Sequence, residues 1–258
     1  MSFVPFDFNQ QQHLDAFLQR YPAFSGYCQS ANIDCSHSFL SQTIAQCCER
    51  AQASAVEVLA SFAMDYPEER QADDRDWTEA TLDELVANLI EGHHDYVRVQ
   101  LGRMQVLLDC IVAKAPHCNE RLDRARAALT FLSQRWHSHM DMEERDFFPV
   151  CLRLEASRDL VAPEELDALI RALHRTSHDH RDINMYADRF EQAIDVAKDD
   201  IPPDLVPMVC ALEQALQDFI DDARLHSAKE DDILIPAVLF AHDVRRSDNE
   251  SGRFSRIQ

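Results

Sequence analysis

Apolar positions recur at helical spacing along almost the whole chain. In Gln10 to Tyr21, Leu14, Phe17, Leu18 and Tyr21 share one stripe, because residues three and four apart face the same way on an α-helix. Pro22, Ser25, Gly26, Asn32 and Asp34 then mark a turn-rich stretch. Ser36 is placed to cap a helix running to about Met64, with Phe39, Leu40, Ile44, Val56, Leu59 and Phe62 apolar. Tyr66 to Trp77 is polar and acidic and reads as a linker. Thr81 and Glu84 have capping-box spacing, and a periodic face follows through Leu85, Leu89, Tyr96, Val99, Met104, Leu107, Leu108 and Ile111. After a turn at Pro116 to Asn119, a second helix is expected through Leu129, Leu132 and Trp136 towards Pro149 or Leu154. Pro163-Glu164-Glu165 opens a third, carrying Leu166, Leu169, Ile170, Leu173, Met185 and Phe190 and stopping before Ile201-Pro202-Pro203. A fourth runs from about Asp204 to Pro236. The expected fold is all-α: a small helical N-terminal region over 1–72, an up-down-up-down four-helix bundle over 78–243, and a polar tail over 244–258.

Composition narrows the class. Four glycines and 46% apolar residues favour helices over a sheet, and 258 residues suffice for a sizeable core. The formal charge of −21, from 46 acidic against 25 basic residues, repels phosphate backbones and anionic lipid, so nucleic-acid and membrane partners are not expected. No apolar run approaches the ~20 residues that span a bilayer. The stretch MSFVPFDFNQQQH has neither the basic start nor the apolar core of a secretory signal. Eight cysteines in such a chain are expected to stay reduced, which places it in the cytoplasm. Cys28 and Cys35 flank a turn and are expected to be the accessible thiols, with Cys110 and Cys210 packed as small apolar groups.

The candidate chemistry lies in a duplicated segment. WHSHMDMEERDFFP at Trp136 to Pro149 returns as LHSAKEDDILIP at Leu225 to Pro236. One offset of 87 relates His139 to His226, Glu143 to Glu230 and Pro149 to Pro236. A His and a Glu four apart lie on one helical face, one turn from each other. The odd helices supply a second matched pair, His94 and His178, 84 apart. His94 and His139 come level in an antiparallel hairpin at ~1.5 Å rise per residue. The candidate ligands are therefore His94, His139, Glu143, His178, His226 and Glu230. His93 competes with His94, and His174 and His180 compete with His178; these three are read as surface or supporting positions. Six ligands exceed the four of a tetrahedral zinc, and mixed imidazole and carboxylate donors suit iron. Two ferric ions against two carboxylates leave net positive charge, so an oxo- or hydroxo-bridged pair of iron ions is expected.

On these residues the chain resembles the hemerythrin-like cation-binding (HHE) domains, and more closely the repair-of-iron-centres family of di-iron proteins. Their order of His, His-x3-Glu, His, His-x3-Glu falls here on His94, His139 with Glu143, His178, and His226 with Glu230. The resemblance covers about Thr81 to His242 and departs from oxygen carriers, whose extra third-helix His would fall at Asp182. It departs from the repair family too. The adjacent thiol pair that family carries after an N-terminal turn is absent there, and Cys47-Cys48 lies within a predicted helix. Acids expected one turn before the second-helix His and directly before the third-helix His are Arg135 and Ser177. The resemblance implies a non-haem di-iron protein of nitrosative or oxidative stress response, acting in repair of damaged iron–sulfur or iron centres. The alternative is a buffer or sensor of nitric oxide, oxygen or iron without delivery. Reduction of nitric oxide at the irons would need open coordination positions, which the residues do not decide.

Overall fold

The computed structural model describes residues 8–36, 39–65, 75–156, 163–198 and 200–240. The linker over 66–74, His37, His242, the tail, and the side chains of Leu154, Leu166, Leu169, Ile170, Leu173, His174 and Ser177 lie outside the described residues. The described residues fold all-α. The helices are α1 (Leu14–Arg20), α2 (Phe24–Ser30), α3 (Ile44–Arg50), α4 (Ala55–Asp65), α5 (Leu82–Asn88), α6 (Asp95–Lys114), α7 (Asn119–Met142), α8 (Phe148–Ala156), α9 (Pro163–Lys198) and α10 (Val206–Lys229). Among the described residues no helix is long and apolar enough to cross a membrane.

The described residues form two compact units. One is drawn from Met1–Arg70, Asp95–Phe131 and Tyr186–Ile220, the other from Gln71–His94, Leu132–Met185 and Asp221–Gln258. This partition differs from the expected 1–72 region beside a 78–243 bundle: the N-terminal helices share a unit with α6. Rings of Phe8, Phe17, Tyr21, Phe24 and Phe62 make an aromatic core whose nearest pair, Phe17 and Phe24, lies 4.6 Å apart. The fully buried Arg103 of α6 donates from Nε to the Ala63 carbonyl at 2.9 Å. At Gly102 an added Cβ would stand 2.6 Å from the Phe8 carbonyl oxygen, so only glycine lets these backbones meet.

The helix expected from Ser36 to Met64 is two helices. Gln52 takes φ 56°, and the Ala53 and Gln52 amides bond the carbonyls of Cys48 and Glu49, closing α3 with a Schellman motif. Ser54 then caps α4 through the Glu57 amide. The turn-rich stretch contains α2, which ends the same way at Asn32, φ 56°. Thr43 and Gln46 form a reciprocal capping box on α3. The thiols also differ from expectation. Cys28 is buried, Cys35 is half-buried and Cys210 is exposed, while Cys110 is buried as expected.

In the second unit, Leu82, Leu85, Val86, Leu89, Met142, Phe147, Phe148, Cys151, Leu234 and Val238 build an apolar core. Three π-helical turns interrupt the helices here, at Leu89–His94, Glu143–Phe147 and Glu230–Leu234. The last two repeat the offset of 87 and have a physical cause in Pro149 and Pro236. Neither proline can donate, and each ring excludes the carbonyl four residues back, Arg145 or Asp232, from an α-turn. The amide just before each proline, Phe148 or Ile235, instead bonds five residues back to the carbonyl of Glu143 or Glu230.

Candidate metal centre

Each π-turn delivers a candidate ligand: His94 ends the first, Glu143 opens the second and Glu230 opens the third. One turn earlier on α7 and α10 stand His139 and His226, and α9 contributes His180. Among the described residues two groups of donors result. His139, His180, His226 and Glu230 each offer an atom within 4.8 Å of the others, as do His94, Glu143 and His226. His226 belongs to both, so the two groups abut. Its Nε2 lies 2.9 Å from His94 Nε2 and 3.8 Å from Glu143 Oε2, while Nδ1 is 3.7 Å from Glu230 Oε2. Glu143 Oε1 lies 3.2 Å from His139 Nε2, and Glu230 Oε2 lies 3.2 Å from His180 Nε2.

The structure thus gathers five sequence-predicted residues, His94, His139, Glu143, His226 and Glu230, all with no exposed surface. It does not gather His178, which is exposed and lines a polar cleft of about 950 Å³ with His137, Asp141, Arg145 and Asp179. His180 stands in its place. The reason is helical phase: the buried face of α9 runs Thr176, His180, Ile183, Ala187, Phe190 and Ile194, and two residues' displacement turns a side chain by about 200°. Two signals could have found it. His180 is 86 from His94, closer to the repeat offset than 84, and Ile183, Ala187, Phe190 and Ile194 fix the phase, whereas Met185 is exposed. Beside this face Arg135 pairs with Asp179 at 3.9 Å and with Asp182 at 2.5 Å.

His93, the other rival, is excluded by its bonds. Its Nδ1 meets Asp222 Oδ1 at 3.0 Å and its Nε2 meets the buried Lys229 ammonium at 2.9 Å, so both ring nitrogens are committed. Lys229 also donates to Asn88 Oδ1 at 2.5 Å and lies over the Trp77 ring. These supporting residues carried no spacing signal, because they converge from separate helices.

The electrostatics suit a cation. Burial and the facing Glu230 carboxylate hold the Glu143 carboxyl well above its ordinary range, against a 3.4 Å bond from the Thr176 hydroxyl. Burial, with His180 and His94 nearby, pushes His139 well down; burial, with His94 and His139, does the same to His226. Both rings are therefore neutral and have lone pairs to give. Among the described residues, both nitrogens of His139 and His180, Nδ1 of His226 and Oε2 of Glu143 are buried with no hydrogen-bond partner. So many orphaned polar atoms at one point would be costly unless a metal ion satisfies them. The donor set fits iron.

The model of the hemerythrin HHE cation-binding domain matches residues 85–238, the span holding every member of both donor groups. An iron-sulfur cluster repair protein YtfE from Dickeya chrysanthemi (strain Ech1591) is 27% identical over 170 residues, covering 64% of this chain and 70% of the relative. A protein of the same name from Citrobacter koseri is 24% identical over 204 residues, covering 77% and 83%. With more than half its length matched by the family model, the chain belongs to the hemerythrin HHE cation-binding domain family.

Proposed function

We propose that this protein holds two non-haem iron ions and serves in the repair of iron–sulfur or iron centres damaged by nitrosative or oxidative stress in the cytoplasm. The observation that carries this is the pair of abutting donor groups sharing His226. One tetrahedral ion needs four ligands, yet six buried donors converge here, with two carboxylates able to span neighbouring ions. His94, His139, Glu143, His180, His226 and Glu230 would hold the two ions between them, with His226, a neutral imidazole with one lone pair, serving one ion only. When bound, iron supplies a redox couple and a labile coordination sphere, from which an ion can be given up or to which a diatomic ligand can add. The chain's own residues set the conditions. Phe148 stacks on His94 with ring centroids 5.7 Å apart, and Trp136 lies tilted against His139 at 5.1 Å, so apolar rings flank the imidazoles. Thr176 steadies Glu143, and the buried Lys229 offsets negative charge beside His93. The similarity to proteins named for iron–sulfur cluster repair supports the proposed client class.

Cys47 and Cys48 favour a second reading, an iron, nitric oxide or oxygen buffer without delivery, because both are buried in α3. Burial pushes the Cys48 thiol up to about 11, so neither is poised to accept iron. One experiment separates the two. Protein isolated without chelator is assayed for iron by plasma emission, then incubated with a [4Fe–4S] dehydratase inactivated by peroxide or nitric oxide. Two irons per chain with restored dehydratase activity is the expected result. Two irons without restoration selects the buffer, and one zinc per chain overturns the di-iron site.

A further inference from the structure

Each repeat carries a second acid directly after its site carboxylate: Glu144 follows Glu143, and Asp231 follows Glu230, again 87 apart. Neighbours in a helical turn point in different directions, so the second acid cannot share the first one's role. Glu144 reaches His94 instead, its Oε1 lying 2.7 Å from Nδ1. His94 is fully buried, and the Glu144 side chain is 27% exposed, at the edge of the site. Asp231 stands in the matching relation to His180, with Oδ2 at 3.7 Å from Nδ1, beyond a direct hydrogen bond. The duplication therefore includes a carboxylate behind an imidazole from another helix.

We infer that Glu144 is the positioning residue of His94: it accepts the Nδ1 proton, fixing the tautomer that presents Nε2 to the metal site. An ionised carboxylate only accepts, so at 2.7 Å the ring nitrogen facing it must carry the proton. The opposite nitrogen is then the one with a lone pair. It is also the one that faces Glu143 Oε2 at 3.4 Å and His226 Nε2 at 2.9 Å. Without Glu144 the ring would lose the carboxylate on its Nδ1 side and would populate both tautomers and other ring rotations. This inference rests on the metal site proposed above, but its first readout needs no metal.

The test compares wild type, Glu144→Ala and Glu144→Gln as full-length chains. Long-range nitrogen–proton spectra of the metal-free protein report the His94 tautomer. The Nδ1–H form is expected in wild type, a mixture in Glu144→Ala, and the Nδ1–H form again in Glu144→Gln, whose amide oxygen still accepts. Anaerobic titration with ferrous ion against a chelator then gives affinity, expected to fall roughly 10–100-fold in Glu144→Ala and to recover largely in Glu144→Gln. An unchanged tautomer in Glu144→Ala overturns the inference, and so does equal affinity loss in both variants. A wild type that shows the expected tautomer but binds no ferrous ion would instead sink the metal site and leave the Glu144 assignment standing. Circular dichroism keeps unfolding distinct from either result.

Discussion

Replacing His180 and His178 separately by alanine decides which face of α9 carries the ligand. His180 is 6% exposed and belongs to the donor group with His139, His226 and Glu230; His178 is exposed and belongs to neither group. Four-ligand structural sites bind zinc with about 10–16 kcal/mol, so one ligand is worth roughly 3 kcal/mol, or about a hundredfold in Kd. His180→Ala should therefore weaken ferrous binding by about that factor. His178→Ala is a surface change, expected within about 0.5 kcal/mol, under threefold. The assay is anaerobic ferrous titration against a competing chelator, with circular dichroism to show that α9 persists. The direction of the two effects matters more than their size. An equal loss in both, or a larger one in His178→Ala, would refute the phase assignment of α9 and restore the spacing of 84.

Glu143→Ala or Glu230→Ala should each lower iron below one atom per chain, because each removes charge as well as a donor from a wholly buried site, while Asp232→Ala on the exposed side of the same turn should leave it unchanged by plasma emission. In the metal-free protein the raised Glu143 pKa adds stability below about pH 4.5 that is lost as pH rises, whereas neutral His139 and His226 add stability above about pH 6.5 that is lost as pH falls. Metal relieves the ionised Glu143, so the Tm gained on adding ferrous ion should grow between pH 5.5 and 8; a gain that is flat or shrinks with pH contradicts this. Gly102→Ala should cost about 1–3 kcal/mol in urea unfolding, since the new methyl meets the Phe8 backbone rather than a yielding side chain. Removal of everything before Trp77 should lower Tm as well, because it strips Ala63 from Arg103; an unchanged Tm would show the N-terminal helices to be a separable region.

Helix content was legible in the sequence because amphipathic periodicity survives small errors of phase, and the four long helices follow the apolar stripes. Ligand identity is less forgiving. On α7 and α10 the His-x3-Glu spacing fixes two residues on one face at once, and a proline marks the end of each segment, so phase could be read there. On α9 a lone imidazole had to be chosen among His174, His178 and His180, and choosing it meant deciding which apolar residues face inward. The spacing of 84 selected His178, while Ile183, Ala187 and Phe190 set the observed phase. The Ser36 to Met64 helix failed for a different reason. Its break lies at Gln52, a residue type that rarely marks a left-handed turn, so propensity gave no warning.

The π-turns show how the repeat can encode more than its candidate ligands. A straight α-helix would align His139 and Glu143, or His226 and Glu230, one turn apart, and would leave the following acid at the next α-helical step. With Pro149 and Pro236 present, the turn that begins at each glutamate widens, and its last bond closes five residues back. In that widened turn Glu143 and Glu230 stay buried among the imidazoles. The acids after them reach outward to neighbouring rings, 2.7 Å from His94 in one copy and 3.7 Å from His180 in the other. The difference follows from side-chain length, since aspartate is one methylene shorter than glutamate. Asp231→Glu should then bring the second carboxylate within hydrogen-bonding reach of His180 Nδ1 and strengthen ferrous binding rather than weaken it. A titration showing weaker binding in that variant would mean that the two copies differ in backbone and not only in the reach of one side chain.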